Sequence, residues 1–139
     1  MANTIHIDIV SAEGQIFSGD ASMVFVPGSQ GELGIAPRHA PLLTTLKAGE
    51  VRVQTEGQEE QSFYVGGGAL EIQPHLVTVL ADTAARARDL DEAAALAAKQ
   101  RAEDAVRDRK DKVEIAEAQA ELARAVAQLR AIQRLRKKR

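Results

Sequence analysis

Glycine and proline are confined to the first part of this 139-residue chain, and that separation constrains its fold more than any other feature. All ten glycines and all four prolines occur at or before Pro74, whereas seventeen alanines fall between Ala84 and Ala131. Glycine and proline interrupt helices, and alanine is the strongest helix former. The sequence therefore predicts two domains, a β-rich domain over residues 1–86 and a helical domain over residues 87–139.

Short segments with strand character fill the first domain. In "TIHIDIV", Ile5, Ile7 and Ile9 alternate with polar residues, which is typical of a half-buried strand. Further strands are predicted at "MVFVP", "VRVQT", "SFYV", "ALEIQ" and "LVTVLA", separated by turns such as "EGQ" and "VGGG". Many short strands without helical periodicity predict an all-β sandwich or flattened barrel.

The second domain contains two helix-start signals. The segments "DLDE" and "DKVE" each place an aspartate, Asp89 or Asp111, three residues before a glutamate, which is the capping-box pattern. They predict an antiparallel hairpin of two helices, roughly over residues 90–109 and 112–135.

The hairpin is expected to be held weakly. The stripe that its first helix would bury is made of alanines, and each buried methylene contributes only about 0.8 kcal/mol. The connecting segment "VRDRKDKV" contains no residue that must break a helix, so the two helices could also join into one. The sequence permits both a compact and an extended arrangement.

Several classes of site are disfavoured. Without cysteine there is no disulfide or thiolate metal site, and the three histidines have no spacing typical of metal ligands. The segment "GSQGELG" lacks the lysine of a phosphate-binding loop, and the triple glycine lacks a dinucleotide fingerprint. We therefore expect no catalytic, metal or cofactor site.

Nothing in the sequence predicts a membrane span or an export signal. No apolar run approaches the ~18 residues that a spanning helix needs. The start "MANTIHIDIV" lacks the basic and apolar regions of a secretory signal, so a cytoplasmic location is expected.

The segment "GELGIAPRHAPLL" over residues 31–43 is interpreted as a constrained loop. It holds two glycines, two prolines, Glu32 and His39, and His39 is the one histidine to which we assign a functional interpretation. Prolines and glycines in this density favour a surface held in a fixed shape.

Charge is divided between the domains. Residues 1–86 carry four basic and ten acidic side chains, a net charge of −6. Residues 87–139 carry fourteen basic and ten acidic side chains, a net charge of +4. The basic end could contact an acidic protein surface, could bind nucleic acid, or could be a solvated helix end. The absence of interleaved aromatic residues disfavours nucleic acid.

Four segments in register, "GELGIAPRHAPLL", "GGGALEIQPHLVTVLADTA", "DLDEA" and "AELARAVAQLR", resemble the epsilon subunits of bacterial F-type ATP synthases. The similarity covers essentially the whole chain. It implies a β-sandwich followed by two helices, in a non-catalytic rotor subunit of the central stalk. It also implies a peripheral location on the cytoplasmic face of the inner membrane, reached only through the complex.

The resemblance also implies partners. The sandwich would bind the gamma subunit and dock on the proton-translocating c-subunit ring through Glu32, Leu33, Gly34, Arg38 and His39. The helices would fold on the sandwich or extend along gamma into the alpha/beta catalytic head, where the extended form inhibits ATP hydrolysis. Contacts with an acidic segment of beta are expected from Arg124, Arg130, Arg134, Arg136, Lys137 and Lys138.

The chain departs from the family at one motif. Some relatives bind ATP through a motif of six consecutive residues, which are Ile or Leu, then Asp, two variable residues, Arg and Ala. Leu90 and Asp91 match its start, but Ala94 replaces the arginine. Alanine offers no guanidinium to phosphates, so we expect no strong nucleotide site. The alternative function, from another class, is a sandwich-and-hairpin adaptor that binds nucleic acid through its basic end.

Overall fold

A computed structural model describes residues 3–108 and 112–137. The chain divides into two compact units, Met1–Arg86 and Ala87–Arg139. Among the described residues, the first unit contains eight β-strands, and the second contains a short 3₁₀ turn and two α-helices. The expected fold class, a β-sandwich followed by a two-helix hairpin, is confirmed.

The strands of the first unit form one continuous sheet. They are β1 (Ile5–Ser11), β2 (Gly14–Ala21), β3 (Met23–Gly28), β4 (Gly31–Ile35), β5 (Leu42–Gln54), β6 (Gln61–Gln73), β7 (Leu76–Ala81) and β8 (Ala84–Arg86). Their order is β2-β1-β7-β6-β5-β3-β4, with β8 beside β6. The β1–β7 pair is parallel and the other pairs are antiparallel.

The sheet folds into two layers because β5 and β6 each contribute to both. The second half of β6, residues 68–73, pairs with β7, whereas residues 63–65 pair with β8. We call the layer of β2, β1, β7 and the second half of β6 the first layer, and the layer of β8, the first half of β6, β3 and β4 the second layer. Strand β5 starts in the first layer and ends in the second.

Three glycines form the corner at which β6 changes layer. Gly67 and Gly68 have φ values of 108° and 141°, which side chains other than glycine rarely adopt. A Cβ atom on Gly68 would lie 2.1 Å from the carbonyl oxygen of Leu80. The prediction of a turn at "VGGG" is therefore wrong: the glycines form a bend inside one strand, which contains both "SFYV" and "ALEIQ".

The core lies between the two layers. Ile5, Ile7 and Ile9 are at most 1% exposed, as the alternation in β1 predicts. The other strands contribute their inward-facing residues, chiefly Val24, Val26, Ile35, Val51, Val53, Phe63, Val65, Leu70, Ile72, Val77 and Val79. This core is continuous from one end of the strand order to the other, because Phe17 on β2 and Leu33 on β4 both pack against it.

The helices of the second unit are α1 (Glu92–Asp108) and α2 (Lys112–Lys137). The predicted ranges of 90–109 and 112–135 differ from these bounds by at most two residues at each end. Ala95, near the start of α1, packs with Leu129 and Ile132, near the end of α2. The two helices are therefore antiparallel, as predicted.

The start of α1 differs from the capping prediction. Asp91 directly precedes the helix, and its Oδ1 lies 3.4 Å from the Ala94 backbone nitrogen. Its carbonyl oxygen accepts the Ala95 N–H at 2.9 Å. Asp91 is therefore the N-cap, whereas Asp89 lies in the preceding 3₁₀ turn, Ala87–Asp89. The other predicted cap, Asp111, lies outside the described residues.

Candidate functional site

The two prolines of "GELGIAPRHAPLL" lie in a loop of residues 36–41 between β4 and β5. Arg38 adopts a left-handed backbone conformation with φ 66°, which is costly for a residue other than glycine. Its N–H donates to the carbonyl oxygen of Pro74 in the β6–β7 turn at 2.9 Å. The Nδ1 of His39 donates to the carbonyl oxygen of Ala40 at 2.7 Å. These contacts hold the loop in one shape, with Arg38 exposed.

Glu32 is held by a different set of neighbours. Its Oε1 accepts a hydrogen bond from Arg52 on β5, with 2.5 Å between the two atoms. The Arg52 guanidinium carbon lies 4.3 Å from the ring centroid of Phe25, and a second nitrogen lies 3.8 Å from a carboxylate oxygen of Glu60. The Glu32 side chain is 60% exposed. Its carboxylate on the second layer is therefore held by these contacts and is still accessible.

The structure separates two groups of residues that the sequence placed in one docking loop. Glu32, Leu33 and Gly34 lie on strand β4 and not in a loop. Glu32 is near the start of that strand, and Arg38 and His39 follow its end. A strand rises about 3.3 Å per residue, so three residues place Glu32 about 10 Å from Ile35. Because the two groups belong to different elements, we call the three residues on β4 and the two residues in the loop the two docking patches.

An apolar row that sequence reasoning missed crosses the outer face of the first layer. Strand register aligns Thr45, Ala69, Leu80 and Val10 across β5, β6, β7 and β1. Leu80 is 53% exposed, and Leu43, two residues before Thr45, is 75% exposed. The signal was present in "LVTVLA", where Leu80 occupies the phase opposite to the buried Val77 and Val79.

His6 connects β1 to the edge strand β2. Its Nδ1 lies 2.9 Å from a carboxylate oxygen of Asp20, and its Nε2 lies 3.0 Å from one of Asp8. The hydrogen bond with Asp20 is the largest cause of a raised His6 pKa, and burial opposes it. The sequence predicted that His6 lies in the polar phase, but it gave no indication of these two carboxylate partners.

Leu90 and Asp91, the two residues that match the start of the ATP-binding motif, stabilise the helical unit. Leu90 packs against the small cluster of Ala95, Leu129 and Ile132. Asp91 caps α1, and Ala94 is exposed on its first turn. These contacts account for Leu90 and Asp91 by helix packing and capping alone.

The basic candidates occupy α2. Arg130 and Arg134 are one helical turn apart and share a face, whereas Arg124 is six residues before Arg130 and lies on a different face. Arg136 and Lys137 belong to the last turn of the same helix, and Lys138 lies outside the described residues.

Within residues 3–108 and 112–137, no group of three histidine, cysteine or acidic side chains is arranged to hold a metal ion. Over the same residues, neither helix combines the length and the apolar character needed to cross a membrane.

Comparison with known proteins identifies the family. A family model described as "ATP synthase, Delta/Epsilon chain, beta-sandwich domain" matches residues 4–87, and the corresponding "long alpha-helix domain" matches residues 88–133. The ATP synthase epsilon chain of Nitrosococcus oceani is 66% identical over 138 residues, which cover 99% of each chain. The chain belongs to the epsilon subunits of bacterial F-type ATP synthases.

Further epsilon chains are almost as similar. Epsilon chain 1 of Methylococcus capsulatus is 63% identical over 137 residues, covering 99% of this chain and 98% of that one. The epsilon chain of Halorhodospira halophila is 61% identical over 137 residues, covering 98% and 97%. The epsilon subunit is a non-catalytic subunit of the ATP synthase.

Solved structures share the fold of this epsilon subunit at much lower identity. A chain of the Euglena gracilis mitochondrial ATP synthase (OSCP/F1/c-ring in rotational state 1) has a TM-score of 0.83 at 16% identity, covering 95% of this chain and 83% of that one. A chain of the Tetrahymena thermophila mitochondrial ATP synthase (central stalk/c-ring) has a TM-score of 0.67 at 10% identity, covering 92% and 96%. The fold is thus retained while the sequence diverges.

Proposed function

We propose that this epsilon subunit is a rotor component of the central stalk. Its sandwich would connect gamma to the c-subunit ring and so couple proton-driven rotation to the catalytic head. The observation that carries the proposal is the identity of 66% to an epsilon chain over 99% of both sequences. The two structural neighbours come from assemblies described with a c ring, which supports the same placement. The subunit would be peripheral on the cytoplasmic face of the inner membrane, held there by the complex.

The apolar row on the first layer, together with Leu43 beside it on β5, is the surface that we assign to gamma. Leu43 and Leu80 are large apolar side chains that remain more than half exposed in the single chain. Their burial would contribute favourable free energy in proportion to the area covered, at about 25 cal/mol per Å². A flat face of β-strands also loses little conformational entropy on docking, because the strands are already ordered.

The two polar patches are the surfaces that we assign to the c-subunit ring. One contains Glu32, Leu33 and Gly34 on β4, and the other contains Arg38 and His39 in the loop. Both are preformed, the first by the Arg52 network and the second by the hydrogen bond from Arg38 to Pro74. Preformed surfaces lose less entropy on binding, which suits a permanent contact in a rotor.

The hairpin is the element that we assign to inhibition of ATP hydrolysis. Buried positions on both helices are mostly small: Ala95, Ala102, Ala118 and Ala125. The larger side chains of the cluster are Leu90, Leu129 and Ile132. So little buried apolar surface makes the compact hairpin easy to open, and an extended form could then reach the alpha/beta head. Arg124, Arg130, Arg134, Arg136, Lys137 and Lys138 would meet an acidic segment there.

The proposal is tested by measuring ATPase activity of a reconstituted alpha–beta–gamma head with full-length epsilon and with a chain truncated after Arg88. Inhibition by the full-length chain alone would assign the inhibition to the helices. A full-length variant in which the six basic residues are neutralised should inhibit less, and the difference should be larger at low salt than at high salt. If neither chain binds gamma or changes the activity, the assignment to the central stalk is wrong.

A further inference from the structure

The accessible carboxylate of Glu32 is attached to a rigid support. Arg52 donates to it at 2.5 Å, and the Arg52 side chain is only 20% exposed, against 60% for Glu32. The supporting residue is thus largely buried and the supported residue is largely accessible. A surface glutamate without such a partner would sample several rotamers.

Arg52 is itself fixed on two further sides. Its guanidinium carbon lies 4.3 Å from the Phe25 ring centroid, within the range of a cation–π contact. Its other terminal nitrogen lies 3.8 Å from Glu60, whose side chain is 16% exposed. The planar guanidinium can stack on a ring and donate to carboxylates at the same time, which a lysine ammonium cannot do. Contacts among residues of three strands, β3, β4 and β5, therefore fix the position of the Glu32 carboxylate.

We propose that Arg52 is a positioning residue that holds the Glu32 carboxylate ready for docking to the ring. This inference rests on the proposed function, in which Glu32 belongs to a ring-docking patch. A carboxylate has about four lone-pair sites and the Arg52 bond uses one, so Glu32 still accepts hydrogen bonds from a partner. The matching group on the ring is a donor, such as an arginine, an amide side chain or a backbone N–H.

The size of the effect follows from side-chain entropy. Immobilising one rotamer-rich side chain on binding costs about 0.5–1.5 kcal/mol, which corresponds to about 2- to 12-fold in affinity. Arg52 removes most of that cost in advance. We therefore expect Arg52→Met to weaken binding of the gamma–epsilon complex to the ring by about three- to tenfold.

The test is a double-mutant cycle with the full-length chain. The affinity of gamma–epsilon for purified c-subunit ring in nanodiscs is measured for the parent chain, Glu32→Ala, Arg52→Met and the double variant. Arg52→Met should weaken binding when Glu32 is present and should cause no further loss when it is absent. Arg52→Lys, which keeps the charge but cannot stack, should fall between the parent and Arg52→Met. Lys47→Met is the matched control, because it removes a positive charge from an exposed position on the same strand.

Two outcomes of the cycle would contradict the proposals, and they can be told apart. Equal losses from Arg52→Met in both backgrounds would overturn the positioning role, because Arg52 would then act through stability or through its own contact. No loss from Glu32→Ala would instead overturn the docking role of Glu32 in the proposed function. Melting temperatures of the four chains provide the second readout: a loss of ring affinity that only follows stability would track the melting temperature across the four chains, whereas the positioning role predicts a loss that does not.

Discussion

The imidazole of His6 on β1 is hydrogen-bonded to the carboxylate of Asp20 on β2, with 2.9 Å between Nδ1 and Oδ1. The other ring nitrogen lies 3.0 Å from a carboxylate oxygen of Asp8. An ionised carboxylate only accepts hydrogen bonds, so making both bonds requires a proton on each nitrogen. The arrangement therefore favours the imidazolium form, and in that form a charged pair joins the edge strand to its neighbour.

This pair predicts a pH dependence of stability. The folded state raises the His6 pKa, chiefly through the Asp20 hydrogen bond. Its contribution is fully present below about pH 6.5 and is lost as pH rises through the folded-state pKa. His6→Gln should therefore cost more stability at acidic than at alkaline pH, by at most about 1 kcal/mol because exposed pairs are screened. Urea unfolding across this pH range measures it, with His75→Gln as control. An equal cost at all pH values would contradict the charged pair.

The close packing at the glycine corner predicts that one methyl group added to Gly68 causes a large loss of stability. Gly68→Ala would place a Cβ 2.1 Å from a backbone oxygen at a φ of 141°, so we expect destabilisation of about 3 kcal/mol or more. Gly57 also has a positive φ, 77°, but its Cβ would meet nothing within 4 Å. Gly57→Ala should therefore cost only about 1–2 kcal/mol. Denaturant unfolding compares them, and equal costs would show that the backbone of Gly68 does not closely approach β7 at the corner.

The N-cap assignment predicts different effects for two neighbouring aspartates. Asp91→Ala removes the side chain that caps α1 and should cost about 1 kcal/mol. Asp89→Ala changes an exposed side chain in the preceding turn and should cost clearly less. Thermal unfolding followed by the helical circular dichroism signal measures both. A larger cost at Asp89 would restore the capping prediction made from the sequence.

The partial nucleotide motif predicts weak or absent ATP binding. Ala94 supplies no guanidinium, and Asp91 is engaged in capping α1. Titration calorimetry with the full-length chain should detect either no binding or binding in the millimolar range. Binding in the micromolar range would contradict the prediction and would require another cationic group to take the role of the missing arginine.

The assignment of the apolar row to gamma predicts which substitutions weaken gamma binding. Leu80→Asp places a charge in the row and should weaken gamma binding at least tenfold, since an unpaired charge in an interface is costly. Leu96 on α1 offers a matched control, because it is 52% exposed against 53% for Leu80. Leu96→Asp should lower gamma affinity less than Leu80→Asp in a pull-down or by surface plasmon resonance, because the sandwich is the proposed gamma surface. Equal losses from both variants would remove the row as the gamma surface.

The edge strands show why some elements could not be predicted. Strands β2 and β4 lie at the two ends of the strand order, and neither has a clear apolar alternation. In β2, Gly19 fits because the Phe17 ring lies 3.0 Å from where its Cβ would be. That contact depends on packing rather than on local propensity, so the sequence alone does not indicate a strand at Gly19.

The candidate sites also contain features that the sequence predicted and features that only the structure shows. The sequence predicted a docking role for Glu32, Arg38 and His39 and placed all three in one loop, whereas Glu32 lies on β4. It could not identify Arg52 as the partner of Glu32, because the two lie twenty residues apart and meet only through the pairing of β3 with both β4 and β5. The apolar row was missed for a related reason: Val10, Ala69 and Leu80 are unremarkable separately and become a surface only when register aligns them.

The sequence by itself determined the two-domain division, the strand character of most core segments and the helical hairpin, because these depend on local propensity and hydrophobic period. Only the tertiary structure decided that the triple glycine is a corner inside one strand and that Asp91 caps α1. It also decided that Glu32 lies on a strand and His39 in the loop that follows it. Each of these depends on long-range register, close backbone approach or a specific hydrogen bond, and none of the three leaves a periodic pattern in the chain.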